Sequence, residues 1–193
     1  RFAGRAGDRL TLAALEKDVG SLRLQQGRLD EAREHYARAL ALDQHLANPT
    51  FVGSVQGNLA ILEQERGVFA AAQAHFERSL EKFRSAGARL FEGHVLGYLA
   101  GLRLEQGDAP GASTDYAGAV AILREVGDRR LEGLFLAGLG AAEAARDRLE
   151  AWRDAHEGAG TLRGEVGDPG LLLALELHRA AFDLARARAA AQR

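Results

Sequence analysis

Residues 26–40 read QGRLDEAREHYARAL, residues 66–80 read RGVFAAAQAHFERSL and residues 106–120 read QGDAPGASTDYAGAV. The three stretches lie 40 residues apart and share one plan. A Gly opens each (Gly27, Gly67, Gly107), an Ala follows five residues later (Ala32, Ala72, Ala112), and an aromatic comes four after that (Tyr36, Phe76, Tyr116). A small residue then stands at Ala39, Ser79 or Ala119. Spacings of three and four place these side chains on one face of a helix, and strict recurrence means a stack of like modules.

Working outward, a second series precedes each module: Gly7, Gly87, Gly127 and Gly167, with Ala47 holding the register. After it come Asp8, Asn48, Asp128 and Asp168, broken only at Ala88. Asp and Asn accept hydrogen bonds from the first free amides of a helix. Pro49 and Pro169 follow two of them, where proline has the right backbone angle and no amide to lose. A first helix, A, is therefore expected to start near residues 9, 49, 89, 129 and 169. Its apolar positions are Leu15, Val19 and Leu22, then Val55, Leu59 and Leu62, then Val95, Leu99 and Leu102, then Phe135, Leu139 and Ala142. A small residue sits among them, Gly20, Ala60, Ala100, Gly140 and Ala180, and lets two backbones approach. Helix A ends at Gly27, Gly67 or Gly107, since glycine tolerates the left-handed turn. Helix B follows after one or two residues, and so short a turn forces an antiparallel hairpin. One hairpin cannot bury both faces, so neighbours must stack.

The order small, Ala, aromatic, small, as in Gly20, Ala32, Tyr36 and Ala39 or in Ala60, Ala72, Phe76 and Ser79, resembles the tetratricopeptide repeat. At 40 residues the unit is similar to the family's longer-helix subclass. The Pro that normally closes helix B is replaced by Gln44, Arg84, Arg124 and Gly164. The usual aromatic of mid-helix A is Arg23, Glu63, Arg103 or Glu143, which is expected to move interhelical contacts onto Leu22 and its equivalents. The resemblance implies an all-α fold, a right-handed α-α superhelix (solenoid) of antiparallel helix pairs with about nine helices. The expected organisation is a single array over residues 1–193, with modules at about 8–47, 48–87, 88–127 and 128–167 and a half module at 168–193. Residues 1–7 read as the tail of a preceding helix, and the chain, which contains no Met, reads as a piece of a longer protein.

The fourth module is the least regular. Asp147 replaces the turn Gly, Trp152 the small Ala, and His156 the aromatic. Trp152 is too large for an Ala-sized gap, so its helix must shift or pair differently. Gly158, Gly160 and Gly164 weaken that helix further, by up to about 1 kcal/mol each relative to Ala.

Composition bounds the function. With 47% hydrophobic and 27% charged residues and a net charge of -2, the chain is globular. Without a basic stripe, nucleic acid is not expected as a partner. No apolar run is long enough to span a bilayer, so no membrane is expected. Zero Cys removes disulfides and thiol chemistry. No signal peptide is visible, and a cytoplasmic location is expected. Arg outnumbers Lys 23 to two, which fits a GC-rich bacterial genome.

In tetratricopeptide arrays the A helices line a concave face that takes extended peptides. The resemblance therefore implies partner-binding positions at Lys17, Ser21, Asn58, Glu65, His94, Tyr98, Glu105 and Leu134. Gln25 and Ile61 belong to the same wall, and Ala137 and Gly138 to a small, apolar second half that would seat a bulky apolar group. Asn58 is the most informative, because an amide donates to and accepts from a peptide backbone at once. The alternative for Asn58 is a solvated helix residue. Chaperone-binding members clamp a C-terminal carboxylate with five residues. By register Lys17 and Asn58 match, His94 is basic only in kind, and Ser21 and Tyr98 do not match.

No metal and no cofactor is expected. His35 and His75 share a register on neighbouring B helices, but helices packed at about 10 Å hold them too far apart for one ion. His45, His94, His156 and His178 have no His partner at helical spacing. Gly93, Gly97 and Gly101 read as packing positions. The serines Ser21, Ser54, Ser79, Ser85 and Ser113 lack a base in a fixed turn, so no catalytic residues are expected. Glu63 and Glu65 point to different helix faces and read as solvated charge.

The expected function is a non-enzymatic protein-interaction scaffold holding a peptide or partner helix in its groove. The alternative is a sensory or regulatory segment of a larger bacterial signalling protein, such as a transcription regulator or kinase. Self-association through the array ends is a third reading.

Overall fold

The structure, a computed structural model, describes residues 2–43 and 48–191. Ala47, Gln44 and His45 lie outside the described residues. The chain is all-α: among the described residues it forms nine helices and no strand. They are α1 (Phe2–Gln25), α2 (Leu29–Asp43), α3 (Pro49–Glu65), α4 (Phe69–Ser85), α5 (Arg89–Glu105), α6 (Ala109–Val126), α7 (Arg129–Ala145), α8 (Leu149–Val166) and α9 (Pro169–Ala191). Four of the five expected A-helix starts, at 49, 89, 129 and 169, fall where the cap series puts them. Asn48 Oδ1 accepts from the Phe51 amide at 3.1 Å, and Asp128 Oδ1 from the Leu131 amide at 3.1 Å. Asp108 does the same for a B helix, accepting from Gly111 N at 3.0 Å.

The exception is α1. It runs through Gly7 and Asp8 without a break, so Asp8 lies inside a helix and residues 2–7 are continuous with α1. At the other ends, Gly27, Gly67, Gly87, Gly107, Gly127 and Gly167 all have φ between 65° and 83°, the left-handed turn that glycine permits. Asp147 takes that place with φ 59° and bears the strain of its Cβ.

Contacts gather into two compact units, Arg1–Ala88 and Arg89–Arg193. In the first, α1 pairs with α2 and α3 with α4, and α3 lies against α2 and touches α1. Its core holds Ala13, Ala32, Tyr36, Ala39, Phe51, Val55, Leu59 and Leu62. In the second, α5 pairs with α6 and α7 with α8, α7 packs closely on α6, and α9 lies against α7 and α8.

The small positions work by admitting rings. A Cβ on Gly20 would stand 2.7 Å from the Tyr36 ring, and one on Gly97 would stand 2.1 Å from the ring of Phe135. Ser79, at a position that is Ala in neighbouring modules, satisfies its hydroxyl by donating to the Gly53 carbonyl at 2.7 Å. The buried aromatic and aliphatic side chains contribute about 1.5–3 kcal/mol each.

In α8 the misfit of Trp152 is resolved by pairing differently. Ala155 and Ala159 are buried, while Trp152 is half-buried and stacks flat on Phe182 of α9, with centroids 4.0 Å apart and planes at 9°. His156 also stacks on the indole, with centroids 5.2 Å apart and planes at 22°. Gly160 and Gly164 have open space where a Cβ would go.

The expectation for Leu22 is corrected. Its equivalents Leu62, Leu102 and Ala142 are fully buried, but Leu22 is 50% exposed.

Candidate functional site

Helices α1 and α3 put Ser21, Gln25, Asn58, Ile61 and Glu65 around one cleft of about 530 Å3 in the first unit. Leu24, Gly27 and Tyr36 complete its lining. Three expected site residues, Ser21, Asn58 and Glu65, are thus brought together. Ser21 is the centre of the polar wall. Its Oγ donates to the Lys17 carbonyl at 3.0 Å, one turn back along the helix. Having spent its proton, it can only accept from Asn58 Nδ2 at 3.1 Å and from the Tyr36 hydroxyl at 3.3 Å. That fixes the Asn58 amide with its nitrogen towards Ser21 and its Oδ1 on the other side. Burial raises the Tyr36 pKa, against its bonds to Ser21 and Asn58, so the phenol stays a neutral donor.

Tyr36 is the residue that reading the sequence for a groove passed over. It was legible as core, being the aromatic of helix B, and it is fully buried, yet it belongs to the cleft lining and its hydroxyl donates to Ser21. The signal was the choice of Tyr where the next module has Phe76. Burial pushes the corresponding Tyr116 phenol up to about 12.

Lys17 lies outside that lining. Its ammonium pairs with the neighbouring Asp18 at 2.7 Å. The remaining expected residues belong to the second unit. His94 Nε2 lies 3.0 Å from Asp128 Oδ2, which ties α5 to the start of α7. Tyr98 is 41% exposed and rests edge-on against Phe135, with centroids 5.7 Å apart. Leu134 is half-buried on α7 and Glu105 exposed at the end of α5. Both basic groups of the partial carboxylate clamp, Lys17 and His94, are therefore already paired with acids of their own unit.

Two further expectations, one in each unit, are corrected. Ala137 and Gly138 do not line an open apolar wall: both are buried, and a Cβ on Gly138 would stand 2.5 Å from the Tyr116 ring. Glu63 is not a solvated acid either. It is 4% exposed and lies 3.7 Å from Arg33 and 3.8 Å from Arg66. Glu92, Glu132 and Glu143 are buried likewise, each held by an arginine three residues away in sequence. Glu143 also accepts from Ser113 and faces Arg148 at 3.5 Å. Serine and carboxylate are both buried and the acid is held by two cations, so the pair is a tie between α6 and α7.

His35 meets Glu16 at 2.7 Å and His75 meets Gln56 at 2.7 Å, each within its own hairpin. Among the described residues no group of three His, Cys, Asp or Glu is placed to hold a metal ion. Nor is any described helix long and apolar enough to cross a membrane.

A model of the tetratricopeptide repeat matches residues 10–85. No curated protein matches the sequence. Among solved structures, the chain is similar to BtubC (BKLC) from P. vanneervenii, with 21% identity and a TM-score of 0.74 over 81% of this chain and 65% of that one. It is also similar to aspartyl phosphate phosphatase F from Bacillus subtilis, with 12% identity and a TM-score of 0.86 over 95% of this chain and 48% of that one. At such identities the likeness shows the fold alone. The chain spans less than two thirds of the length of either protein.

Proposed function

We infer that this chain, whose residues 10–85 are tetratricopeptide repeats, is a non-enzymatic binding module that holds an extended peptide or a partner helix. The repeats are read as one array, with modules at about 8–47, 48–87, 88–127 and 128–167 and a half module after them. The seat we assign to the partner is the cleft of the first unit, and the observation that carries it is the Ser21–Asn58–Tyr36 set. Three polar side chains hold one another in fixed orientations beside two apolar ones, Leu24 and Ile61. A peptide backbone gains from that arrangement because the amide plane of Asn58 is set before binding, and less side-chain entropy is lost. Glu65 is the one charged residue of the lining, so the cleft suits a neutral or basic segment better than a carboxylate. Tyr98, edge-on against Phe135, is the alternative seat, within the second unit.

The test uses a peptide selected from a displayed library on the whole chain, with affinity measured by calorimetry. Asn58→Ala is expected to weaken binding by about tenfold, the loss of a bond of about 1.4 kcal/mol, without lowering the melting temperature by more than a few degrees. Unchanged binding in Asn58→Ala together with loss in Tyr98→Ala would move the seat to the second unit. Unchanged binding in both would end the assignment.

A further inference from the structure

The stripe that α8 presents to α9 departs from that of the other B helices. At one register α4 carries Phe76, Leu80 and Phe83 and α6 carries Tyr116, Val120 and Leu123, all of them buried. In α8 the same places hold His156, Gly160 and Arg163. Three core side chains are thus exchanged for an imidazole, a bare Cα and a guanidinium, and a cleft of about 310 Å3 lies between α8 and α9 inside the second unit. Leu172 and Leu175 of α9 give it an apolar side. A Cβ on Gly160 would meet nothing within 4 Å, so the glycine opens the middle of the cleft at a cost in helix propensity that no packing contact offsets. Arg163 lies two turns, about 10 Å, along α8 from His156. Arg179 and Glu176 enter from α9, and Glu157 from α8. Burial first, and then the charge of Arg179, hold the His156 pKa below its ordinary 6.5, which leaves two arginines and two glutamates as the charges of the lining at pH 7. Among the described residues none of these four is engaged in an ion pair.

We propose that the cleft between α8 and α9 binds a small zwitterion, an α-amino acid with an apolar side chain, whose carboxylate pairs with an arginine and whose ammonium pairs with a glutamate. Charge complementarity selects this class. An anion alone would bring its charge to Glu157 and Glu176, and a cation alone would bring its charge to Arg163 and Arg179. A molecule carrying both signs meets an opposite charge for each. A guanidinium fork takes a carboxylate through two parallel hydrogen bonds. Leu175, which is buried, and Leu172 beside it offer the surface for an apolar side chain lying over Gly160. The volume stands at the small end of ligand pockets, which fits a free amino acid and not a helix or an extended chain. This site shares no residue with the cleft of the first unit.

Trp152, the one tryptophan of the chain, stacks on His156, so its fluorescence reports on the cleft. The whole chain is titrated with L-leucine and L-phenylalanine, each beside the acid that lacks its amino group and the amine that lacks its carboxylate. For leucine these are 4-methylpentanoate and 3-methylbutylamine. Saturable binding of one or both amino acids is expected, tighter by about tenfold or more than that of the matching acid or amine. Gly160→Leu, which restores the residue type of Leu80, is expected to abolish that binding by filling the cleft, while the melting temperature holds or rises. Arg163→Gln and Arg179→Gln change exposed side chains and keep the test open if Gly160→Leu fails to fold. At least one of them should weaken the amino acid by about tenfold and leave the amine unaffected. The proposal is overturned if neither amino acid binds saturably, or if an acid or an amine binds as tightly as its amino acid. Binding that survives in folded Gly160→Leu, or that neither arginine variant weakens, overturns it as well.

Discussion

Glycines at 20 and 160 serve opposite ends. Gly20 is small because a ring needs its space: two ring atoms of the buried Tyr36 lie 2.7 and 2.8 Å from where a Cβ would stand. Gly20→Ala is therefore expected to destabilise the chain by about 1–3 kcal/mol through overpacking, read from urea unfolding. A neutral result would mean that Tyr36 swings aside at no cost. Gly160 sits in mid-helix with nothing within 4 Å, so nothing in the structure requires it. Gly160→Ala is expected to stabilise by about 0.5–1 kcal/mol, the helix-propensity difference, in the same assay. Both glycines were visible in the repeat, but only packing tells them apart. Register marked 20 as a close-approach position, while at 160 it marked only a weakened helix.

At the level of the element, α8 and α9 are joined by an aromatic stack. Trp152 joins Phe182 at 4.0 Å and His156 at 5.2 Å, and α9 has no later helix among the described residues to lean on. Replacing Trp152 by Ala removes most of that contact, and a truncation of a packed aromatic costs about 3–5 kcal/mol when fully buried. Trp152 is half-buried, so the lower part of that range is expected. The loss should be local: amide exchange should quicken in α9 and α8 before it does in α5 and α6. Uniform quickening across the second unit would show instead that the stack holds α7 as well. That the fourth module was irregular could be read from Trp152 itself. Its solution could not, since Ala155 and Ala159 take the buried places only once α9 offers Phe182 to the displaced indole.

Over the whole molecule, acid is expected to act in two steps. Burial lowers the pKa of His75, His156 and His178 below the ordinary 6.5. Between the folded and unfolded values the unfolded chain binds more protons, so their contribution is complete above about pH 6.5 and is lost as pH falls below it. For Asp128, burial raises the carboxyl but the Leu131 amide and His94 outweigh it, and for Asp168 the Gly170 amide lowers it. Both lie below the ordinary 3.8, so their contribution is present above that value and is lost as pH falls through the folded pKa. Melting temperatures should hold from about pH 8 to 7, fall between about 6.5 and 5, and fall again below about 4. A flat profile from pH 7 to 5 would show that these imidazoles are protonated without cost.

The sequence by itself determined the all-α class, the helix pairs and the starts of α3, α5, α7 and α9, because caps, left-handed glycines and apolar spacing act within a few residues of the chain. It also put Ser21, Asn58 and Glu65 on one wall, since equal modules repeat equal faces. Only the tertiary structure decided which faces are covered. Leu22 is half-exposed and Leu62 buried at the same register, Ala137 and Gly138 are buried, Glu63 is paired inside, and the Tyr36 hydroxyl holds Ser21 of the cleft. Burial is a property of neighbours that are distant along the chain, and a local pattern carries no information on whether they are there.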